Sequence, residues 1–186
     1  MRIFPKSLQS FLACLGAVLL LAAPPSQAQP IGFNLRMQTD LGAIDILMLD
    51  SVASTTVANF MNYVDDGDYD YSFLHRSAAY TDPAETLYPV GTPFVVQGGG
   101  YVMTGPPGSF FSTGVTPVPK DPPVDNDFSL SNLRGTLAMA KLPGDPDSAT
   151  SEWFFNMQDN SMTLDGQNGG FTVFAQVQST GMDIVD

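Results

Sequence analysis

Chemistry has few places to reside in this chain. Its 186 residues hold one histidine, His75, and one cysteine, Cys14. A zinc site built on two histidines is therefore excluded, and a Ser-His-Asp triad would need His75 as its base with no G-x-S-x-G elbow to carry the serine. There is no Walker motif, and Gly98-Gly99-Gly100 lacks the strand-to-helix context of a phosphate-binding loop. No cofactor and no metal is implied, and His75 alone reads as a structural histidine. Asp65, Asp66, Asp68 and Asp70 lack the alternating ligand positions of a calcium loop, and the twelfth position from Asp65 is Arg76 rather than glutamate, so they read as a solvated acidic loop. What the inventory leaves is Arg76, the polar pair Gln97 and Glu152, and the apolar residues Phe94, Val95, Met139, Phe154, Leu164 and Phe171. From the residues alone two readings stand: Arg76 as a surface ion-pair partner, or Arg76 as a lone cation working in an apolar groove.

A groove needs strands to build it. Phe94 to Val96, Gln97 and the three glycines read as a core strand whose far end lets another backbone come close. Phe33 to Gln38 and Ala43 to Met48 alternate on either side of Thr39-Asp40-Leu41-Gly42, which predicts a β-hairpin. Val57, Phe60, Met61 and Val64 recur at helical spacing, with Ser54 or Thr55 placed to cap the start and Gly67 to follow the last turn. Tyr71 to Arg76, Thr136 to Ala140, Glu152 to Met157 and Phe171 to Gln178 read as further short strands. Residues 77 to 93 form a long proline-bearing connection, and 101 to 126 read as loop. An all-β pattern with little helix points to a barrel.

The first residues carry an address instead of structure. Arg2 and Lys6 make a positive start, Phe11 to Ala22 is a short apolar run, and Ser26-Gln27-Ala28 is a small-x-small cleavage site, so residues 1 to 28 read as a secretory signal peptide. Residues 29 to 186 then form one domain, exported to the periplasm or secreted. The only cysteine leaves with the leader, so packing alone must stabilise the mature chain. Cleavage removes two basic residues and no acid, so 7 basic against 19 acidic residues becomes 5 against 19 and the formal charge moves from −12 to −14. Such a surface repels phosphate backbones and anionic lipid, which argues against nucleic acid and, after cleavage, against membrane as a partner.

Five stretches in order carry a resemblance: Phe73-Leu74-His75-Arg76; Phe94 to Gly100; Gly135 to Ala140; Ser151-Glu152-Trp153-Phe154-Phe155-Asn156; and Leu164-Asp165 through Gln167-Asn168-Gly169-Gly170-Phe171 to Phe174. They look like the cyclophilin-type peptidyl-prolyl isomerases, above all bacterial members, and the match runs from about Phe33 to the last residue. The resemblance implies a mainly β fold, an eight-stranded antiparallel closed β-barrel capped by two helices, with a peptide groove on its outer wall. It implies isomerisation of X-Pro bonds in exported proteins, with proline-containing polypeptides as partners and a monomeric enzyme that assists folding. Arg76 would be the catalytic guanidinium, and Gln97 would bind peptide backbone and help orient it. Phe94, Val95, Met139, Phe154 and Leu164 would line the proline pocket, and Ala140 with the backbone of Lys141 would lie along the substrate.

The departures from the family pattern are informative. Glu152 stands where glutamine is usual, Thr163 where many members have an aromatic residue, and Phe171 in place of a common histidine, though it still suits a proline pocket. Because Glu152 and Phe154 alternate along one strand, Glu152 is expected to face the groove and to meet Arg76 directly or through Gln97. The connection 77 to 93 is longer than in compact members. Gly181 to Asp186 resembles the first turn of the family's second helix, so the last helix and strand are expected to be missing and the hairpin's outer edge to be open. The competing reading is a non-catalytic proline-peptide-binding or scaffolding module, against which Arg76, Gln97 and Phe154 together favour the enzyme.

Overall fold

The computed structural model describes residues 2–5, 34–81, 88–105 and 114–186. The apolar run and cleavage site of the leader lie outside them. Ten strands and three short α-helical segments follow in order: β1 (Arg2–Pro5), β2 (Asn34–Thr39), β3 (Gly42–Met48), α1 (Ser54–Asp65), β4 (Arg76–Ala79), β5 (Pro93–Gly98), β6 (Tyr101–Thr104), β7 (Gly114–Pro117), β8 (Thr136–Met139), β9 (Trp153–Asn156), α2 (Ser161–Leu164), β10 (Val173–Val177) and α3 (Met182–Val185). Eight strands make one sheet in the order β1-β2-β3-β10-β8-β9-β5-β4, and every described pairing in it is antiparallel. The fold is thus mainly β, an antiparallel sheet with few helices, as expected; among the described residues no ladder joins the edge strands β1 and β4.

The predicted hairpin is β2 and β3. Thr39 Oγ1 receives the amide of Gly42 at 3.1 Å and donates to its carbonyl at 2.7 Å, which is side-chain turn chemistry at the predicted place. In the full chain the hairpin's outer edge is not open as expected, because Arg2–Pro5 pairs in register with Leu35 to Gln38 and takes up its ladder groups; cleavage after Ala28 would remove this strand and open the edge again. The helix predicted from Val57 to Val64 is α1, twelve residues long, with Val57, Phe60 and Tyr63 buried. Its cap is Ala53 and no side chain completes it, so neither Ser54 nor Thr55 plays the predicted capping role. Gly67, at φ 77°, ends it as predicted.

Alternation along the strands divides the apolar residues between two faces. Trp153 and Phe155 of β9 join Phe60, Tyr63, Leu137, Phe174 and the β2–β3 residues in the main core under α1. Phe154, one residue out of phase, belongs to a second cluster on the other face with Leu49, Val95, Ala138, Leu164 and Val173. Each buried aromatic is worth roughly 1.5 to 3 kcal/mol in transfer, so both faces are held by burial and not only by ladders.

Two local readings need correction. The strand predicted from Tyr71 to Arg76 begins where it was expected to end: Tyr71 sits at φ 63°, Ser72 forms an isolated bridge to Val102, and regular pairing starts at Arg76. Part of the 101–126 loop is a hairpin, since β6 pairs with β7 as a separate two-stranded sheet. Its strands are mostly exposed, so no buried face writes an alternation into their sequence.

Candidate functional site

The register of the sheet assembles the site. Arg76 of β4 lies opposite Gln97 of β5, Gln97 opposite Phe154 of β9, Phe154 opposite Ala138 of β8, and Ala138 opposite Val173 of β10. One line of residues thus crosses five strands on the outer face, from an exposed cation at the sheet edge to a buried apolar centre. In the next row Ala78 lies opposite Val95, and Val95 opposite Asn156.

At the polar end, Arg76 Nη1 donates to Gln97 Oε1 at 3.0 Å, and Gln97 Nε2 donates to Glu152 Oε2 at 2.5 Å. The same Glu152 oxygen stands 3.4 Å from His75 Nε2. Glu152 therefore reaches Arg76 through Gln97, as the alternation of β9 required, and the amide is forced into one orientation because its oxygen faces a guanidinium and its nitrogen a carboxylate. His75 packs edge-on against Tyr101 at 5.1 Å. Its Nδ1 is buried with no hydrogen-bond partner among the described residues.

The three glycines after Gln97 perform the predicted close approach, but toward the protein itself. A Cβ on Gly99 would collide with the Ser151 carbonyl and the Trp153 indole, and one on Gly100 would stand 2.9 Å from the His75 ring and 3.2 Å from the Glu152 carboxyl carbon. Glycine at these positions is what allows β9 and His75 to close on β5.

At the apolar end, Val95, Phe154 and Leu164 are buried together, with Phe94, Ala140 and Phe171 half-buried against them. Phe154 and Phe171 meet edge to face at 5.7 Å. Met139 does not join them. It is 1% exposed within the main core, because Leu137 and Met139 are claimed by that core while Ala138 turns outward to Phe154. All four residues of β8 are buried, so its sequence does not say which face is which. Leu49, Ala138 and Val173 are the buried members of the outer cluster that sequence reasoning missed.

Ala140 donates its amide to the Glu152 carbonyl at 2.9 Å, which ties the end of β8 to the acidic residue. The Lys141 side chain turns under the pocket. Its Nζ donates to Asn126 Oδ1 at 3.0 Å and to the carbonyls of Asn168 and Gly170 at 2.9 and 2.6 Å, and lies 4.9 Å from the centre of the Phe171 ring. Burial lowers the pKa of this ammonium, with Asp147 acting in the opposite sense. It is a tie that sets the Phe171 wall, a role the sequence did not suggest. A cavity of about 510 Å³ opens beside the site, lined by Gln97, Glu152, Ala140 and Lys141 on one side and Lys120, Leu142 and Asp147 on the other. A larger one of about 650 Å³, between α1 and 121–124, shares no residue with the Arg76 row.

Behind the apolar cluster runs a buried amide network. Asn160 Nδ2 donates to the Phe94 carbonyl at 2.9 Å and to Asn156 Oδ1 at 2.7 Å, and Asn156 Nδ2 donates to Asn132 Oδ1 at 3.1 Å and Thr136 Oγ1 at 2.9 Å. Asn132 in turn donates to Asp165 and to the carbonyl of Phe171. The backbone behind Phe94, Leu164 and Phe171 is thus held by one connected set of bonds.

With this geometry in place, comparison with known proteins is specific. Residues 34–186 match the model of the family described as cyclophilin type peptidyl-prolyl cis-trans isomerase/CLD. The chain is similar to peptidyl-prolyl cis-trans isomerase A of Dickeya dadantii, at 35% identity over 94% of this chain and 81% of that one. It is also similar to peptidyl-prolyl cis-trans isomerase B of Escherichia coli, at 35% identity over 80% of this chain and 79% of that one. Among solved structures it is similar in fold to a Cryptosporidium parvum cyclophilin type peptidyl-prolyl cis-trans isomerase crystallised in the presence of the dipeptide Ala-Pro, with a TM-score of 0.56, 19% identity and 82% of each chain covered.

Proposed function

We infer the mechanism from one premise: this chain belongs to the cyclophilin-type peptidyl-prolyl cis-trans isomerases. The reaction is rotation about an X-Pro peptide bond, and the substrate we propose is an extended proline-containing segment, the class to which the Ala-Pro of the Cryptosporidium structure belongs. In planar form the bond is held by amide resonance, with a barrier of roughly 20 kcal/mol. The twisted transition state loses that resonance and leaves a localised lone pair on the prolyl nitrogen. A guanidinium beside that nitrogen stabilises the twisted form more than either planar one, and only such a difference accelerates the reaction. A difference of about 6 to 8 kcal/mol would supply four to six decades.

The observation that carries this assignment is the single cross-strand row in which Arg76, oriented by Gln97 at 3.0 Å, leads to Phe154 and the apolar cluster. Phe94, Val95, Phe154, Leu164 and Phe171 are the surfaces we assign to the proline ring, with Ala140 and the backbone of Lys141 along the peptide. Burying one such ring is worth roughly 1.5 to 3 kcal/mol. With a few hydrogen bonds added, affinity stays near the millimolar scale of about −4 kcal/mol, and product leaves readily. Exchange spectroscopy on a short proline peptide tests the whole reading: catalysed interconversion at stoichiometries far below the peptide is expected, and binding without exchange would replace the enzyme by a proline-peptide-binding module.

Glu152 acts on this machinery in two opposed ways. Its carboxylate orients Gln97 and hence Arg76, yet it also draws off part of the positive field that the prolyl nitrogen needs. The second effect is expected to win modestly in a half-buried setting. Glu152→Gln should raise kcat/KM by about 2- to 5-fold at low salt. A clear loss of activity would show that the carboxylate is a needed orienting partner.

We also propose that the enzyme works outside the cytoplasm, in the periplasm or beyond it, assisting the folding of exported proteins. The support is the leader pattern of Arg2, Lys6, Phe11 to Ala22 and Ser26-Gln27-Ala28. Mass spectrometry of the protein recovered from an exporting host should find it beginning at Gln29; a chain retained in the cytoplasm at its full mass would overturn the proposal.

A further inference from the structure

The connection between β4 and β5 departs from a plain hairpin, and its described ends are anchored in a particular way. Tyr80 donates its amide to the Thr92 carbonyl at 3.0 Å and accepts the amide of Gly91 at 2.9 Å, so the two ends remain paired beyond the bulge at Ala78 and Ala79. The side chain of Tyr80 is only 6% exposed, unusual for a residue in a proline-bearing connection. Its ring lies between two others, 5.4 Å from Tyr88 in a stacked arrangement and 4.8 Å from Phe94 in a tilted one. Its hydroxyl donates to Asn160 Oδ1 at 2.6 Å.

Two of these contacts, to Phe94 and to Asn160, lead to walls of the apolar pocket. Phe94 is one wall directly. Asn160 holds the carbonyl of that same Phe94, and its own carbonyl receives the amide of Leu164 at 2.8 Å at the end of α2, so it fixes a second wall. Burial raises the pKa of the Tyr80 phenol, which keeps it a neutral donor in this setting.

We propose that Tyr80 is a positioning residue of the proline pocket, which fixes the separation of the Phe94 and Leu164 walls and so sets how tightly a proline segment is held. This rests on the isomerase reading only for the meaning of the pocket. Tyr80 touches neither Arg76 nor Gln97 in any described contact, so its effect falls on binding and not on the electrostatics of rotation. Interaction with ground and transition states alike changes KM with kcat preserved.

The test uses the whole chain with Tyr80→Phe and Tyr80→Ala. Tyr80→Phe keeps the ring on Phe94 and removes the hydroxyl's bonds with Asn160 and the Thr163 side chain; it should raise KM about 2- to 4-fold with kcat within twofold of the parent. Tyr80→Ala removes both contacts and should raise KM about 5- to 20-fold, again with kcat nearly preserved. Direct titration of a proline peptide by NMR should show the same ordering of Kd, and the Phe94 ring signals should shift in both variants. Unchanged KM and Kd in folded Tyr80→Phe would overturn the proposal, as would equal losses in kcat and kcat/KM. If Tyr80→Ala does not fold, Tyr80→Phe decides alone. If the parent protein binds the peptide but does not isomerise it, the functional reading fails while the Kd ordering still tests Tyr80.

Discussion

Arg76→Ala is expected to lower kcat/KM by about two decades or more, a loss near 2.7 kcal/mol of transition-state stabilisation, while leaving the far-ultraviolet circular dichroism of the protein unchanged. The two halves of this expectation rest on one fact, the exposure of the side chain at the start of an edge strand. The described hydrogen bond of the guanidinium goes to Gln97, itself only half-buried, so its removal opens no cavity and strands no buried charge. The pocket residues remain, and with them most of the ground-state binding, so KM should change far less than kcat. What is lost is the only cation in the Arg76 row, whose residues continue as an amide and then as apolar side chains. Near-parental exchange rates in a folded Arg76→Ala protein would remove Arg76 from the mechanism.

Asn156→Ala is expected to have the largest effect on stability. Asn156 is fully buried and joins Asn160, Asn132 and Thr136 through three side-chain bonds. Alanine leaves a small cavity and leaves Asn132 Oδ1 without its donor, while Asn160 and Thr136 keep other bonds, to the Phe94 and Leu133 carbonyls. One orphaned buried acceptor costs about 1 to 3 kcal/mol, and the lost contacts add to it. A total of about 3 kcal/mol would lower Tm by roughly 6 to 12 °C in a domain of this size. Because the same network carries the backbone of Phe94 and Phe171, a rise in KM should accompany the loss. A thermal melt within about 2 °C of the parent would mean that water replaces the amide without penalty.

How far the sequence disclosed this arrangement depends on what each residue has beside it. The β2–β3 hairpin and α1 were legible because one face of each is more buried than the other, and β5 because glycines mark a close approach; β9, buried at all four positions, was legible as a short apolar run. The grouping of Arg76, Gln97 and Phe154 came from the family resemblance, and strand phase then placed Glu152 on the face of Phe154, leaving open whether it meets Arg76 directly or through Gln97. Met139 was assigned to the wrong face because β8 is buried on both sides and carries no periodic signal. Tyr71 to Arg76 looked like a strand, but a left-handed backbone at Tyr71 cannot be read from a tyrosine. Asn132, Asn156 and Asn160 gave no warning of a network, since their meeting depends on three separate elements converging. Tyr80 and Lys141 were hidden for a related reason. Their partners lie 80 and up to 29 positions away along the chain.

Trp153 is the only tryptophan in the sequence, and the sheet places it fully buried on the face away from Phe154, with its ring against Gly98 and Gly99. Its fluorescence is therefore a reporter with a single address. Emission should be blue-shifted in the native state and should move to the red as β5 and β9 separate, while a ligand seated on the opposite face leaves the indole's surroundings intact. Denaturation and peptide binding become optically separable in the unmodified protein: the intrinsic signal follows the first, and any ligand titration must be followed by another probe.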